Sequence, residues 1–114
     1  MKIINKTKNT VLAQEAIVAD TVFKRIKGLL GRKDFMQGEA LIIRPCNSIH
    51  TFFMRFPIDV LFVNKHNQII KANSTLKPWR LTYIYLNAAF VIELPAGILE
   101  STFTQEKDIL VLVN

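Results

Sequence analysis

Disulfide-stapled folds are excluded at once, because the 114 residues contain a single cysteine, Cys46, and a lone thiol has no internal partner. Long apolar runs are missing too. The longest, residues 88–92 and 109–113, are five residues each, far below the ~20 that a membrane helix needs. Lys2, Lys6 and Lys8 near the start are not followed by the apolar stretch that defines an export signal. Glycine and proline number four each and are scattered, which excludes a collagen-like repeat, and no heptad persists long enough for a coiled coil. Acids are also scarce: nine Asp and Glu face fifteen Lys and Arg, a formal charge of +6. These shortages predict a cytoplasmic chain with no membrane span.

What the chain has in quantity is apolar side chain, half of its residues against 21% charged. At this length a single domain over residues 1–114 with one core is expected. Residues 1–4 and 10–18 are rich in β-branched types and flank a polar turn at 5–9, the pattern of a hairpin. Asp20 offers a helix N-cap. Val22, Phe23, Ile26, Leu29 and Leu30 then recur at three- and four-residue spacing up to Gly31, which predicts an amphipathic helix with Lys24, Arg25 and Lys27 on its other face. Short apolar runs at 40–43 and 60–63 read as buried strands. Residues 60–72 form the clearest hairpin, turning at 64–67, where His66 is expected in solvent. Residues 77–85 lack a clear period and read as an ordered loop over the core. A strand at 90–94 ends at Pro95, one or two helical turns follow at 98–103, and a last strand occupies 109–113. The fold class is therefore mainly β (α+β): an antiparallel β-sandwich or barrel with one amphipathic helix near the N-terminal third. A doubly wound α/β fold would need more helical crossovers than the one strong helical pattern provides.

The chemistry concentrates in residues 46–59, where Cys46, His50, Arg55 and Asp59 are set among apolar side chains. Burying such groups costs several kcal/mol each unless they are paired, so they either satisfy one another or line a cleft. Arg55 and Asp59, four apart around Pro57, read first as an ion pair pinning that connection. Glu93 lies between Ile92 and Leu94 in an apolar strand and must find a partner, most simply an arginine or backbone donors. Cys46 and His50 have the types of a thiol nucleophile and its base, with Asp59 or Glu93 to orient the ring, but this spacing also arises in cores with an inert thiol. His50, Asp59 and Glu93, with Cys46, are the types that hold zinc if different strands bring three of them together. Arg55, Arg80 and His50 suit a carboxylate or phosphate, with Trp79 as a wall. The basic cluster of Lys24, Arg25, Lys27, Arg32 and Lys33 reads first as a solvated face and second as a patch for nucleic acid or a membrane surface.

Four ordered segments resemble the family known as domain of unknown function 192. They are Gly28-Leu29-Leu30-Gly31-Arg32, the run from Ile49-His50-Thr51-Phe52-Phe53-Met54 through Arg55-Phe56-Pro57-Ile58-Asp59-Val60-Leu61-Phe62, Pro78-Trp79-Arg80, and Glu93-Leu94-Pro95-Ala96-Gly97. The likeness covers about residues 20–108. It implies a small, mainly β domain with a helix near its start, and neither an activity nor a catalytic residue. His66-Asn67 stands where the family commonly has an Asp-Gly turn, and Lys107-Asp108 where it commonly has Gly-Asp, so the departures bear on turns.

The leading expectation is a cytoplasmic binding module for a small anionic molecule or a protein partner, with His50, Arg55, Asp59, Trp79, Arg80 and Glu93 gathered around one site. A hydrolase using Cys46 and His50, or a metal held by His50, Asp59 and Glu93, is the second. The third is a weak nucleic-acid or membrane-surface binder acting through the basic helix face. No cofactor is named by the sequence.

Overall fold

The computed structural model describes residues 1–114 as eight strands and two short helices. Strands β1 (Lys2–Asn5), β2 (Thr10–Ala13) and β8 (Leu110–Val113) make a three-stranded sheet in the order β2-β1-β8. Strands β3 (Glu15–Ala19), β4 (Glu39–Ile43), β5 (Ile58–Val63), β6 (Ile69–Leu76) and β7 (Phe90–Pro95) make the second, in the order β3-β4-β7-β5-β6. All strand pairs are antiparallel except β3 with β4. The two sheets approach barrel closure. A bridge between Gln68 and Ile109 joins β6 to the approach of β8, and Ala16 N–H donates to the Met1 carbonyl at 2.7 Å on the other side.

The expected 10–18 strand is cut in two at Gln14, and its halves serve different sheets. The polar pair Gln14-Glu15 breaks the alternation there, and both backbone N–H groups turn to the Gly38 carbonyl at 3.0 Å. The parallel β3–β4 pair then needs a crossover, which the segment containing helix α1 (Val22–Lys27) supplies.

That helix departs from expectation. Its N-cap is Thr21, whose side chain accepts the Lys24 N–H, and not Asp20. It ends at Gly28, a turn before Gly31, because Gly28 takes a positive φ of 43°. The apolar spacing runs straight through Gly28 in the sequence, but the chain leaves the helix there. Leu29 is buried while Val22, Phe23 and Ile26 stay in solvent, so the amphipathic stripe never packs as a stripe. The second helix, α2 (Ile98–Ser101), is one turn that buries Ile98 and Leu99.

One core was expected and two clusters form, one on each face of the five-stranded sheet. Ala40 and Ile42 of β4, Leu61 and Val63 of β5, and Ile92 and Leu94 of β7 face the three-stranded sheet. Their neighbours Leu41, Ile43, Val60, Phe62 and Val91 face the other way, under Leu29, Ile49 and Met54. Two-sided burial explains why β4, β5 and β7 read as continuous apolar runs and not as alternating ones. No helix is long and apolar enough to cross a membrane.

Candidate functional site

Asp59 and Glu93 occupy neighbouring strands, and register decides which face each one takes. Asp59 pairs with Leu94 and Val60 with Glu93. Since successive side chains alternate, Asp59 turns to the inter-sheet cluster with Leu61, and Glu93 turns to the outer cluster with Val91. The two acids expected in one site are separated by the sheet itself.

Asp59 is fully engaged. Its Oδ1 accepts the Thr75 N–H at 2.8 Å, and its Oδ2 accepts the N–H groups of Gly97 at 3.1 Å and Leu99 at 2.9 Å. The carboxylate thus ties β5 to β6 and to the start of α2, using amides that those irregular positions leave without ladder partners. The expected ion pair with Arg55 is not formed: Asp59 is completely buried, and backbone donors already hold both oxygens. Asp108 is held in the same manner, by Asn5 Nδ2 at 2.9 Å, the Gln105 N–H at 3.0 Å and Lys8 Nζ at 2.9 Å. Burial pushes its pKa up, but those hydrogen bonds and the lysine charge outweigh it and leave it lowered.

Glu93 has none of this. It is 4% exposed, no hydrogen bond or neighbouring charge offsets its burial, and its pKa is pushed up to about 8. The partner expected from the sequence is missing because the group escapes the cost of a buried charge by keeping its proton. Glu93 lies against a cavity of about 160 Å3 between α1 and the outer face of the sheet, where the other polar lining residues are Arg25, Lys27, Cys46, Ser48 and His50. Ile26, Leu29, Ile43, Ile49 and Met54 supply its apolar walls. Arg25 donates through Nη1 to the Pro45 carbonyl at 3.1 Å, while its Nε is buried with no acceptor. Cys46 Sγ donates to the Ser48 carbonyl at 3.1 Å. Burial, with a smaller contribution from Glu93, raises the thiol pKa against the Ser48 hydrogen bond, so the sulfur is held protonated, the opposite of an activated nucleophile. His50 Nδ1 accepts the Phe52 N–H at 3.2 Å, which leaves Nε2 as the ring nitrogen that bears the N–H.

Of the six expected site residues, His50 and Glu93 line this cavity, and Arg55, Asp59, Trp79 and Arg80 do not. Trp79 stacks on Phe52, with ring centroids 5.9 Å apart, and Arg80 folds Nη1 back to the Pro78 carbonyl. Arg55 is exposed and makes no ion pair. No group of three His, Cys, Asp or Glu side chains is placed to hold a metal ion, as the opposite faces of Asp59 and Glu93 require. The basic cluster is divided as well: Arg32 pairs with Glu39 at 2.9 Å and Arg25 lies against the cavity.

The profile of the DUF192 family, described as Uncharacterized ACR, matches residues 3–112. The chain belongs to the DUF192 family. The match reaches β1 and β8, beyond the 20–108 that the motifs alone indicated. UPF0127 protein PH1112 of Pyrococcus horikoshii is 36% identical over 104 residues, covering 87% of this chain and 88% of that protein. Among solved structures, a protein of unknown function from Novosphingobium aromaticivorans superposes with a TM-score of 0.83 at 15% identity, over 97% of this chain and 82% of that one. A Sinorhizobium meliloti protein with a provisional transcription-regulator name gives 0.80 at 18% identity, over 96% and 89%. At those identities the likeness is one of fold.

In this DUF192 chain the cavity adds Arg25 and the walls Ile26 and Leu29 to His50 and Glu93, and it takes in Cys46, which the sequence offered for the hydrolase and metal readings. Arg25 gave no distinguishing signal, since it stands between Lys24 and Lys27 in what reads as a solvated basic face. Glu93 did give one: an ionisable group inside an apolar strand is costly enough to demand an explanation.

Proposed function

We propose that the protein is a binding module for a small anion with a short apolar body, held in the cavity between α1 and the outer sheet face. The observation that carries this reading is Glu93: a protonated carboxyl with no protein partner, lining a largely apolar cavity. Neutral Glu93 has an O–H to donate, Arg25 has an unspent Nε N–H, and His50, whose Nδ1 accepts from Phe52, presents its ring N–H at Nε2. Three donors without acceptors suit a ligand rich in acceptor oxygens, and a carboxylate matches them best. At about 160 Å3 the space fits a molecule of a few carbons, below the size of ordinary cofactor sites. A reducing, cytoplasmic setting fits a free, half-buried thiol at the cavity wall.

The test is titration of a short-chain carboxylate series, acetate to hexanoate, followed by amide and methyl NMR. Saturable shifts at Ile43, Ile49 and Met54 are expected. Binding should weaken as the pH rises through about 8, because Glu93 then ionises and repels the anion. Shifts that stay absent from the cavity across the series, or that ignore pH and Glu93→Gln, would remove the reading.

A further inference from the structure

A second surface, independent of the cavity's contents, lies on the loop of residues 77–86. This loop runs antiparallel to residues 47–51 and is zipped to it. Thr51 N–H donates to the Arg80 carbonyl at 2.9 Å, Trp79 N–H to the Thr51 carbonyl at 3.0 Å, Thr82 N–H to the Ile49 carbonyl at 3.0 Å and Tyr85 N–H to the Asn47 carbonyl at 2.9 Å. Thr51 Oγ1, fully buried, adds a bond to the Lys77 carbonyl at 2.6 Å and accepts the Arg80 N–H at 2.9 Å. Tyr85 packs inward on Phe62, with centroids 4.5 Å apart. The backbone is thereby fixed while the side chains are left in water: Leu81 is 72% exposed, Tyr83 82%, Ile84 65% and Leu86 84%. The patch continues through Trp79 to Phe53, with centroids 4.6 Å apart, and through Phe52 to His50 at 4.9 Å. His50 and the exposed Ile26 of α1 both line the cavity.

A rigid loop that shows this much apolar side chain to solvent is unusual for a free monomer. Its charge says what covers it. From residue 44 to residue 92 the only acid is Asp59, which is buried, against six Lys and Arg. Arg55, Lys77 and Arg80 of that set stand exposed around the aromatic cluster. A two-fold pairing of this face with a second copy would set base against base, so the occupant is anionic. Aromatic platforms for single-stranded nucleic acid use ring faces, whereas Leu81, Ile84 and Leu86 are aliphatic, offer a base nothing to stack on and suit an apolar phase. From this combination we infer that the face formed by residues 77–86 with Phe52 and Phe53 docks onto an anionic lipid bilayer. The aliphatic and aromatic side chains enter the headgroup boundary, and Arg55, Lys77 and Arg80 contact lipid phosphates.

Trp79, the only tryptophan, stands inside the patch and reports directly. The full chain is mixed with vesicles of phosphatidylcholine alone, or of phosphatidylcholine and phosphatidylglycerol in equal parts. The expected result is co-sedimentation with the anionic vesicles at least about tenfold above the neutral ones, with a blue shift of Trp79 emission and quenching by brominated lipid. Leu81→Ser with Leu86→Ser, and separately Lys77→Glu with Arg80→Glu, should each lower partitioning about tenfold or more while the unfolding midpoint stays put, all four side chains being exposed. Absence of vesicle binding at low salt overturns the inference. So does binding that the double serine variant leaves unchanged, which would be charge attraction alone. Preferential capture by a single-stranded polythymidine with quenching of Trp79, or a concentration-dependent dimer through this face, overturns it in favour of that other occupant.

Discussion

Asp59 and Glu93 sit on adjacent strands of one sheet, one residue out of direct register, and both are shut away from water, yet they are opposite kinds of group. Asp59 collects three backbone N–H groups and anchors a strand edge and a helix start. Glu93 collects none, keeps its proton and lines a cavity. The difference teaches that burial alone does not mark an acid as functional. What marks it is whether the surrounding backbone has spare donors. On the inter-sheet side, β6 deviates at Thr75 and α2 begins at Gly97, and both events release amides. Above Glu93 there are mostly apolar side chains, and the structure offers that carboxyl only the cavity.

The largest effect expected from this contrast is at Asp59. Asp59→Ala strands the amides of Thr75, Gly97 and Leu99 in a dry interior, and urea unfolding should show a loss of about 3–5 kcal/mol. A change under about 1 kcal/mol would mean that those amides find water, and the comparison with Glu93 would collapse.

Next comes the pH dependence of stability. The unfolded chain releases the Glu93 proton near its ordinary value of 4.5, while the fold retains it to about 8. Between those values the native state binds more protons, so stability falls as pH rises, by a few kcal/mol across the interval. Glu93→Gln should flatten that part of the curve and raise the unfolding midpoint above pH 8. An unchanged slope would show that Glu93 is ionised and solvated in the fold.

Asp108 provides a control of the opposite sign. Its lowered pKa means that it contributes stability at neutral pH, lost as the pH falls through its folded value. Asp108→Asn, which removes the Lys8 ion pair and weakens the bond from Asn5, should cost about 1–3 kcal/mol at pH 7 and nearly nothing at strongly acid pH. The smallest effect is at Cys46, whose thiol is kept neutral mainly by burial and secondarily by Glu93. Alkylation should be slow near neutral pH, and in alkaline solution Glu93→Gln should speed it by less than about tenfold.

Several features are legible in the sequence. The apolar runs announced β4, β5 and β7, the polar turn at 64–67 announced the β5–β6 hairpin, and Glu93 stood out as a charge where a strand has no use for one. By the same logic Asp59, which also interrupts an apolar run, groups with it on sequence alone. The two were separated by a one-residue difference in cross-strand register, which local sequence does not encode. The helix was legible as a helix and misleading as a stripe. Periodicity carried through Gly28 because counting residues ignores the backbone turn that ends α1 there. Thr21 outranked Asp20 as the cap for a similar reason, since the cap belongs to whichever side chain the entering backbone aims at Lys24 N–H. The split at Gln14 left only a faint trace, two polar residues in a β-branched run.

By itself the sequence determined a mainly β domain of this family, a surplus of base, a single free thiol and a buried carboxyl that had to be explained. These follow from composition and short-range pattern, because hydrophobic burial acts on residue type. Only the tertiary structure decided that Asp59 and Glu93 part to opposite faces, that Arg25 joins the cavity, and that the loop of residues 77–86 leaves its apolar side chains in water. Those outcomes depend on strand register and on where backbone donors are left spare, and both arise from pairing between segments far apart in the chain.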